Sequence, residues 1–130
     1  WSVLLIALPV GLITDGILHS NNTRDTLTDR RAGIKTMAMG LGHKASAILY
    51  GFEVIFPYVW IGVLSIIGLM PITTIVIFLT LAVAIGCAKT MMHSLEGGSG
   101  VIADLDVRTA NLQLMFSALL TVAFIVAKFI

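Results

Sequence analysis

His19 to Lys44, HSNNTRDTLTDRRAGIKTMAMGLGHK, is the densest run of charge in a chain that is otherwise strongly apolar. Its contrast with its flanks decides the fold. Upstream, Trp1 to Leu18 is interrupted only by Asp15; downstream, Ala45 to Leu69 carries one charge, Glu53. Of the 130 residues, 58% are hydrophobic and 12% charged, and the mean hydropathy is +1.01. A soluble domain has about 25% charged residues, so this chain belongs in a bilayer. A membrane helix needs roughly 20 apolar residues, which predicts an all-α polytopic transmembrane bundle with spans over 1–29, 45–69, 72–90 and 109–128.

The punctuation fits those spans. Gly33, following Arg30 and Arg31, is a helix-stopping residue behind cations suited to a helix C-terminus. Ile34 to Lys44, with Gly40 and Gly42, is expected as a loop. Pro71 closes a short connection, and Met91 to Arg108 is expected as a hydrophilic loop centred on Gly97-Gly98-Ser99-Gly100. Pro9, Gly11 and Gly16 fall within the first span, where packing is their ordinary role. The basic residues gather in the His19–Lys44 and Lys89–Arg108 segments and avoid the Leu69–Ile72 turn, which puts both motif loops on the cytoplasmic side. The net charge of +1 gives no footprint for nucleic acid. Cys87, the lone cysteine, has no intramolecular disulfide partner. The chain starts at Trp1 inside an apolar run, so we expect a fragment, the missing N-terminal half of the same protein lying upstream.

Asn21, Asp25 and Asp29 recur at helical spacing, with Asn22 beside them, and present four oxygen-bearing side chains together. Carboxylates one turn apart can share a hard cation. Mg²⁺ suits this set, because it binds through one or two carboxylates, keeps waters and takes substrate phosphates. Arg30, Arg31 and Lys35 could neutralise the remaining phosphate oxygens. Spacing alone leaves a second reading open, in which Asp25 and Asp29 are solvated at a helix end or paired with Arg24 and Arg30.

The string Asn21-Asn22-Thr23-Arg24-Asp25, followed by Asp29, Arg30, Ala32-Gly33-Ile34-Lys35-Thr36 and Leu41-Gly42, closely resembles the second aspartate-rich motif of the UbiA superfamily of membrane-embedded prenyltransferases. Its form is most similar to the 1,4-dihydroxy-2-naphthoate polyprenyltransferases of menaquinone synthesis and their vitamin K relatives. Thr109 to Leu114 resembles the start of that branch's late helices. The resemblance implies Mg²⁺-dependent transfer from a polyprenyl diphosphate to an aromatic acceptor within the membrane lipid. It gives Asp25 and Asp29 the metal and catalytic roles, and Arg24, Arg30, Lys35, Asn21 and Asn22 the diphosphate contacts. The family's first aspartate-rich motif is absent from this stretch. Homogentisate, 4-hydroxybenzoate and a glycerol lipid are the alternative acceptors, and a non-catalytic subunit or ion transporter is the alternative class.

Other polar residues are expected to do less. Asp15 stands in a span, where a carboxylate costs several kcal/mol unless paired or wet, so it lines a polar cavity or finds a partner. Glu53 faces the cavity, snorkels or makes a helix contact. His19 and His43 are expected at the rim. His93, Glu96, Asp104, Asp106 and Arg108 are read as a solvated loop, with a lid or acceptor contact for Arg108 as the alternative. No Ser-His-Asp set, phosphate-cradling glycine loop or zinc spacing is present.

Overall fold

A computed structural model describes residues 2–130; the expected start of the first span at Trp1 lies outside them. Helix α1 runs Ser2–Arg24, α2 Thr26–Arg31, α3 Met37–Leu41, α4 His43–Ile66, α5 Leu81–Gly97 and α6 Leu105–Val126. A 3₁₀ segment, Ile72–Thr80, precedes α5, and a 3₁₀ turn, Ser99–Ile102, follows it. The described residues contain no strand. Among the described residues, four helical stretches are long and apolar enough to cross a membrane: Val3–Arg24, His43–Ile66, Ile72–Gly97 and Ser99–Val126. The fold is an all-α polytopic bundle, as composition required.

Packing places α1 against both α4 and α6, while α4 also meets α5 and the 3₁₀ segment meets α6. Ile13, Tyr50, Val54, Tyr58, Ile77, Leu112 and Phe116 form the buried centre. Without a hydrophobic drive between helices in lipid, small residues and interhelical hydrogen bonds hold such bundles together. Both devices are used. Gly16 sits where α1 closes on α4: a Cβ there would already be in van der Waals contact with Val54 Cγ1 at 3.4 Å. Tyr50 Oη bonds Thr109 Oγ1 at 2.6 Å, Tyr58 Oη bonds Thr80 Oγ1 at 2.7 Å, and Trp60 Nε1 donates to Leu5 O at 3.0 Å.

The expected first helix, 1–29, breaks at Asp25 (φ −91°, ψ 7°) into α1 and α2. The cause is local. Ser20 donates to Ile17 O, Thr23 to His19 O, and Thr26 to both Asn22 O and Thr23 O. Hydroxyls that bond carbonyls of the preceding turn compete with the helix ladder and bend it. Gly33 ends α2 as its sequence suggests: at φ 73°, it donates to Arg30 O while Ile34 N–H reaches Asp29 O at 2.9 Å, a Schellman closure.

Three further boundaries differ from expectation. The 34–44 loop contains α3, whose Ala38 is buried. The third span opens as a nine-residue 3₁₀ segment, in which Thr74 and Thr80 hydroxyls bond the carbonyls three residues back. Its β-branched start, Ile72-Thr73-Thr74-Ile75-Val76-Ile77, is poor α-former material. Finally, α5 continues to Gly97 because Met91 and Ser94, one turn apart, both face the core. The connection expected over 91–108 shrinks accordingly, and α6 starts at Leu105.

Candidate functional site

The polar end of α1 is gathered by one side chain. Arg24 places Nε 2.9 Å from Asp25 Oδ1 and Nη2 3.1 Å from Asp25 Oδ2, a two-pronged grip. The same Nη2 donates to Asn21 Oδ1. Nη1 crosses to the segment before α6, donating to Ala103 O at 2.9 Å and pairing with Asp106 Oδ2 at 3.0 Å. One guanidinium thereby ties the motif to α6, using the fork geometry that lysine lacks. Hydrogen bonding from Arg24 is the main cause holding the Asp25 carboxyl below the usual carboxylate range, against a smaller opposing effect of burial.

Asn21, Arg24 and Asp25 are therefore brought together, and Asp106 joins them. Asp29 follows Asp25 by one turn, its N–H donating to Asp25 O at 2.9 Å. Its carboxylate makes no ion pair among the described residues, so of the two pairings left open by spacing, Asp25 with Arg24 forms and Asp29 with Arg30 does not. Arg30, Arg31 and Lys35 are exposed and carry no ion pair among the described residues. Asn22 is half-buried, and its carbonyl accepts from Thr26.

A cavity of about 310 Å³ opens beside the motif, lined by Thr23, Arg24, Arg30, His43 and Ser99 among others. Its charged wall is cationic, and neither Asp25 nor Asp29 lines it. No group of three or more His, Cys, Asp or Glu converges on one point among the described residues. The donor chemistry of the Asp25/Asp29 pair still fits Mg²⁺, which needs one or two carboxylates and leaves its other positions to water and phosphate. Asp29 is free to serve it, and Asp25 retains lone pairs beyond those Arg24 uses.

His19 is a correction. It is 2% exposed, far from a rim residue, and its Nδ1 lies 2.9 and 3.0 Å from the two Glu53 oxygens. Of the roles open to Glu53, the helix contact is the one observed. Asp15 is exposed on α1. His43 is exposed, with Nε2 2.7 Å from Ser94 Oγ. His93 and Glu96 sit on α5 and Asp106 and Arg108 on α6, so they do not share a loop. Arg108 Nη1 donates to Thr90 Oγ1 at 3.0 Å, bracing α6 on α5. The Arg24 contact to the segment before α6 spans 79 residues of sequence, and no local spacing announces it.

Comparison with known proteins places the chain in a family. Residues 1–112 match the model of the UbiA prenyltransferase family. Over 58 residues the chain is 50% identical to a Drosophila melanogaster protein named UbiA prenyltransferase domain-containing protein 1 homolog, covering 45% of this chain and 16% of the relative. Proteins named UbiA prenyltransferase domain-containing protein 1 from Xenopus tropicalis and Homo sapiens are 48% and 47% identical over 62 residues, covering 48% of this chain and 18% of each relative. The matched stretch thus spans under a fifth of the length of these curated relatives. No solved structure matches. With a family match over most of its length and a four-span helical bundle around the NNTRD stretch, the chain belongs to the UbiA prenyltransferase family.

Proposed function

We propose that this chain forms the C-terminal part of a Mg²⁺-dependent prenyltransferase, which moves an isoprenyl chain from a polyprenyl diphosphate to 1,4-dihydroxy-2-naphthoate in menaquinone biosynthesis. The observation that carries the reading is the Asp25/Asp29 pair, one turn apart at the polar end of a membrane span, with uncommitted cations at Arg30 and Lys35 next to it. Family membership supports prenyl transfer in general; the naphthoate acceptor rests on the NNTRD form of the motif.

Asp25 and Asp29 hold the metal in this reading, and Asn21 and Asn22 line the same polar end. Bound Mg²⁺ supplies Lewis-acid neutralisation of the departing diphosphate. Arg30 and Lys35 bind the phosphate oxygens that the metal leaves, as charge-assisted donors. Arg24 orients Asp25 through its two-pronged contact, fixing the carboxylate before substrate arrives. The prenyl carbon–oxygen bond breaks and the diphosphate leaves, an aromatic carbon of the acceptor bonds to the prenyl group, and the naphthoate gives up its carboxylate as carbon dioxide, which balances the step. The basic loops at this end face the cytoplasm, where diphosphate substrates enter.

The test is prenyl transfer by the full-length enzyme in nanodiscs, with naphthoate, homogentisate and 4-hydroxybenzoate as competing acceptors. Naphthoate is the preferred acceptor, and Asp25→Asn and Asp29→Asn each abolish the Mg²⁺-dependent rate. Intact transfer in both variants would refute the site; preference for another acceptor would refute the naphthoate assignment alone.

A further inference from the structure

Within the membrane, α1 meets α4 along a seam that includes Gly16, beside Tyr50 and Val54, and His19, three residues on and beside Glu53. His19 and Glu53 are the ionisable pair of that seam, with side chains 1% and 3% exposed. Such a pair is a poor way to gain stability, because an apolar pair of similar volume packs as well without desolvating charge. This one is also imperfectly satisfied: His19 Nε2 is buried and has no hydrogen-bond partner among the described residues. A polar contact with such a cost is best accounted for by what it specifies. The best-attested use of buried ionic groups is to fix register.

Register matters at this position. Each residue advances an α-helix by about 100°, so Asn22 lies roughly 60° round the helix from His19, and Asp25 follows directly on the last residue of α1. Rotation of α1 by one residue step would separate His19 from Glu53. It would also swing the motif face away from its present direction. Trp60, which donates to Leu5 O near the other end of α1, limits sliding but bonds a backbone carbonyl that any residue supplies. His19 and Glu53 can be satisfied in one rotational setting only.

We infer that the His19–Glu53 pair is a rotational pin: two positioning residues that set the direction in which α1 presents Asn21 and Asn22 and hands the chain on to Asp25 and, on α2, Asp29. This rests on the proposed site for its catalytic consequence, though not for its structural one. The experiment uses the full-length protein in nanodiscs and reads the thermal midpoint, kcat, KM for prenyl diphosphate, and maleimide labelling of an Asn22→Cys substitution. Glu53→Leu strands the imidazole and lowers the midpoint. The double variant His19→Leu/Glu53→Leu regains the midpoint, yet its kcat stays down by about tenfold, the scale expected for a small misplacement of catalytic groups. Labelling at position 22 shifts in the double variant and stays at the wild-type rate in Glu53→Gln, which keeps an acceptor for Nδ1.

Wild-type kcat and wild-type labelling in the double variant would overturn the pin. So would a labelling shift in Glu53→Gln as large as in Glu53→Leu, an outcome that can be read even if the double variant does not fold. Loss of the prenyltransfer reading would show separately, as transfer unaffected by Asp25→Asn, and would leave the labelling arm intact.

Discussion

The seam between α1 and α4 and the tip of α1 carry similar polar residues and treat them in opposite ways. In the seam and the core behind it, polar groups pair with one another: His19 with Glu53, Tyr50 with Thr109, Tyr58 with Thr80. At the tip, Arg24 closes one contact set, while just beyond it Asp29, Arg30 and Lys35 carry no ion pair among the described residues. Groups that hold the fold find their partners internally, because lipid offers none, and His19 Nε2 is the exception in the seam. Groups left open at the wet end retain capacity for something that is not protein. Lesions in the two regions should therefore separate cleanly between stability and activity.

The sharpest break comes from Asp29→Asn. The carboxylate has no protein partner among the described residues, so its loss should leave the thermal midpoint of the full-length enzyme unchanged. Prenyl transfer should fall by at least about 10²-fold, the scale for removing one preorganised electrostatic group. Parallel melting curves and initial rates in nanodiscs check both halves. A lower midpoint with an unchanged rate would reverse the assignment of this residue to the open set.

Arg24 lies on the boundary between the two regions, and Arg24→Lys should damage both. An ammonium cannot reproduce the two-pronged contact to Asp25 while also reaching Ala103 O and Asp106. The expected outcome is a rate about tenfold lower, with faster proteolysis in the 98–104 connection that Arg24 now ties down. A rate loss without a change in proteolysis would place Arg24 wholly with the open set.

How much of this could be read in advance follows the same division. The four spans were legible because hydropathy is a local sum, and Gly33 was legible because its Schellman closure needs only neighbouring residues. The Asp25/Asp29 spacing was legible for that reason too. His19 was misplaced at the rim because its partner stands 34 residues away, and Asp106 was assigned to solvent because its partner Arg24 lies on another helix. The end of α5 was missed because His93 and Glu96 advertise a loop, whereas Met91 and Ser94 decide the matter by facing the core. Contacts between helices settle these cases, and a periodicity within one helix carries no record of them.

Tyr58→Phe tests the closed region gently. Thr80 donates its hydroxyl proton to Ile77 O, so Tyr58 donates to Thr80 Oγ1. Removing the phenolic hydroxyl strands no donor, and the ring keeps its edge contacts with Phe78 and Phe116. The expected cost is about 0.6 kcal/mol, near the average for interhelical hydrogen bonds in membranes, with kcat unchanged. Thermal melts and rates measured together would show it; a rate loss would mean that the core is coupled to the motif end.

The smallest expected effect is on the acid side of the pH profile, and it probes the one closed contact at the open end. Arg24 holds Asp25 below the ordinary aspartate value of 3.8. A carboxyl whose pKa is lowered by folding contributes stability that is fully present above its unfolded value and is lost as pH falls through its folded value. Arg24→Gln removes the cation and the two-pronged contact, so the Asp25 pKa returns toward 3.8 and its share of the acid limb disappears. Asp25 is partly exposed, with 38% of its side chain accessible, so solvent screens the pair and the difference should be small. Thermal midpoints of the full-length enzyme between about pH 3 and 5, compared for wild type and Arg24→Gln, should converge at the acid end, where Asp25 is protonated in both. Curves that stay parallel through that window would mean that Arg24 serves α6 and Asn21 more than it serves Asp25.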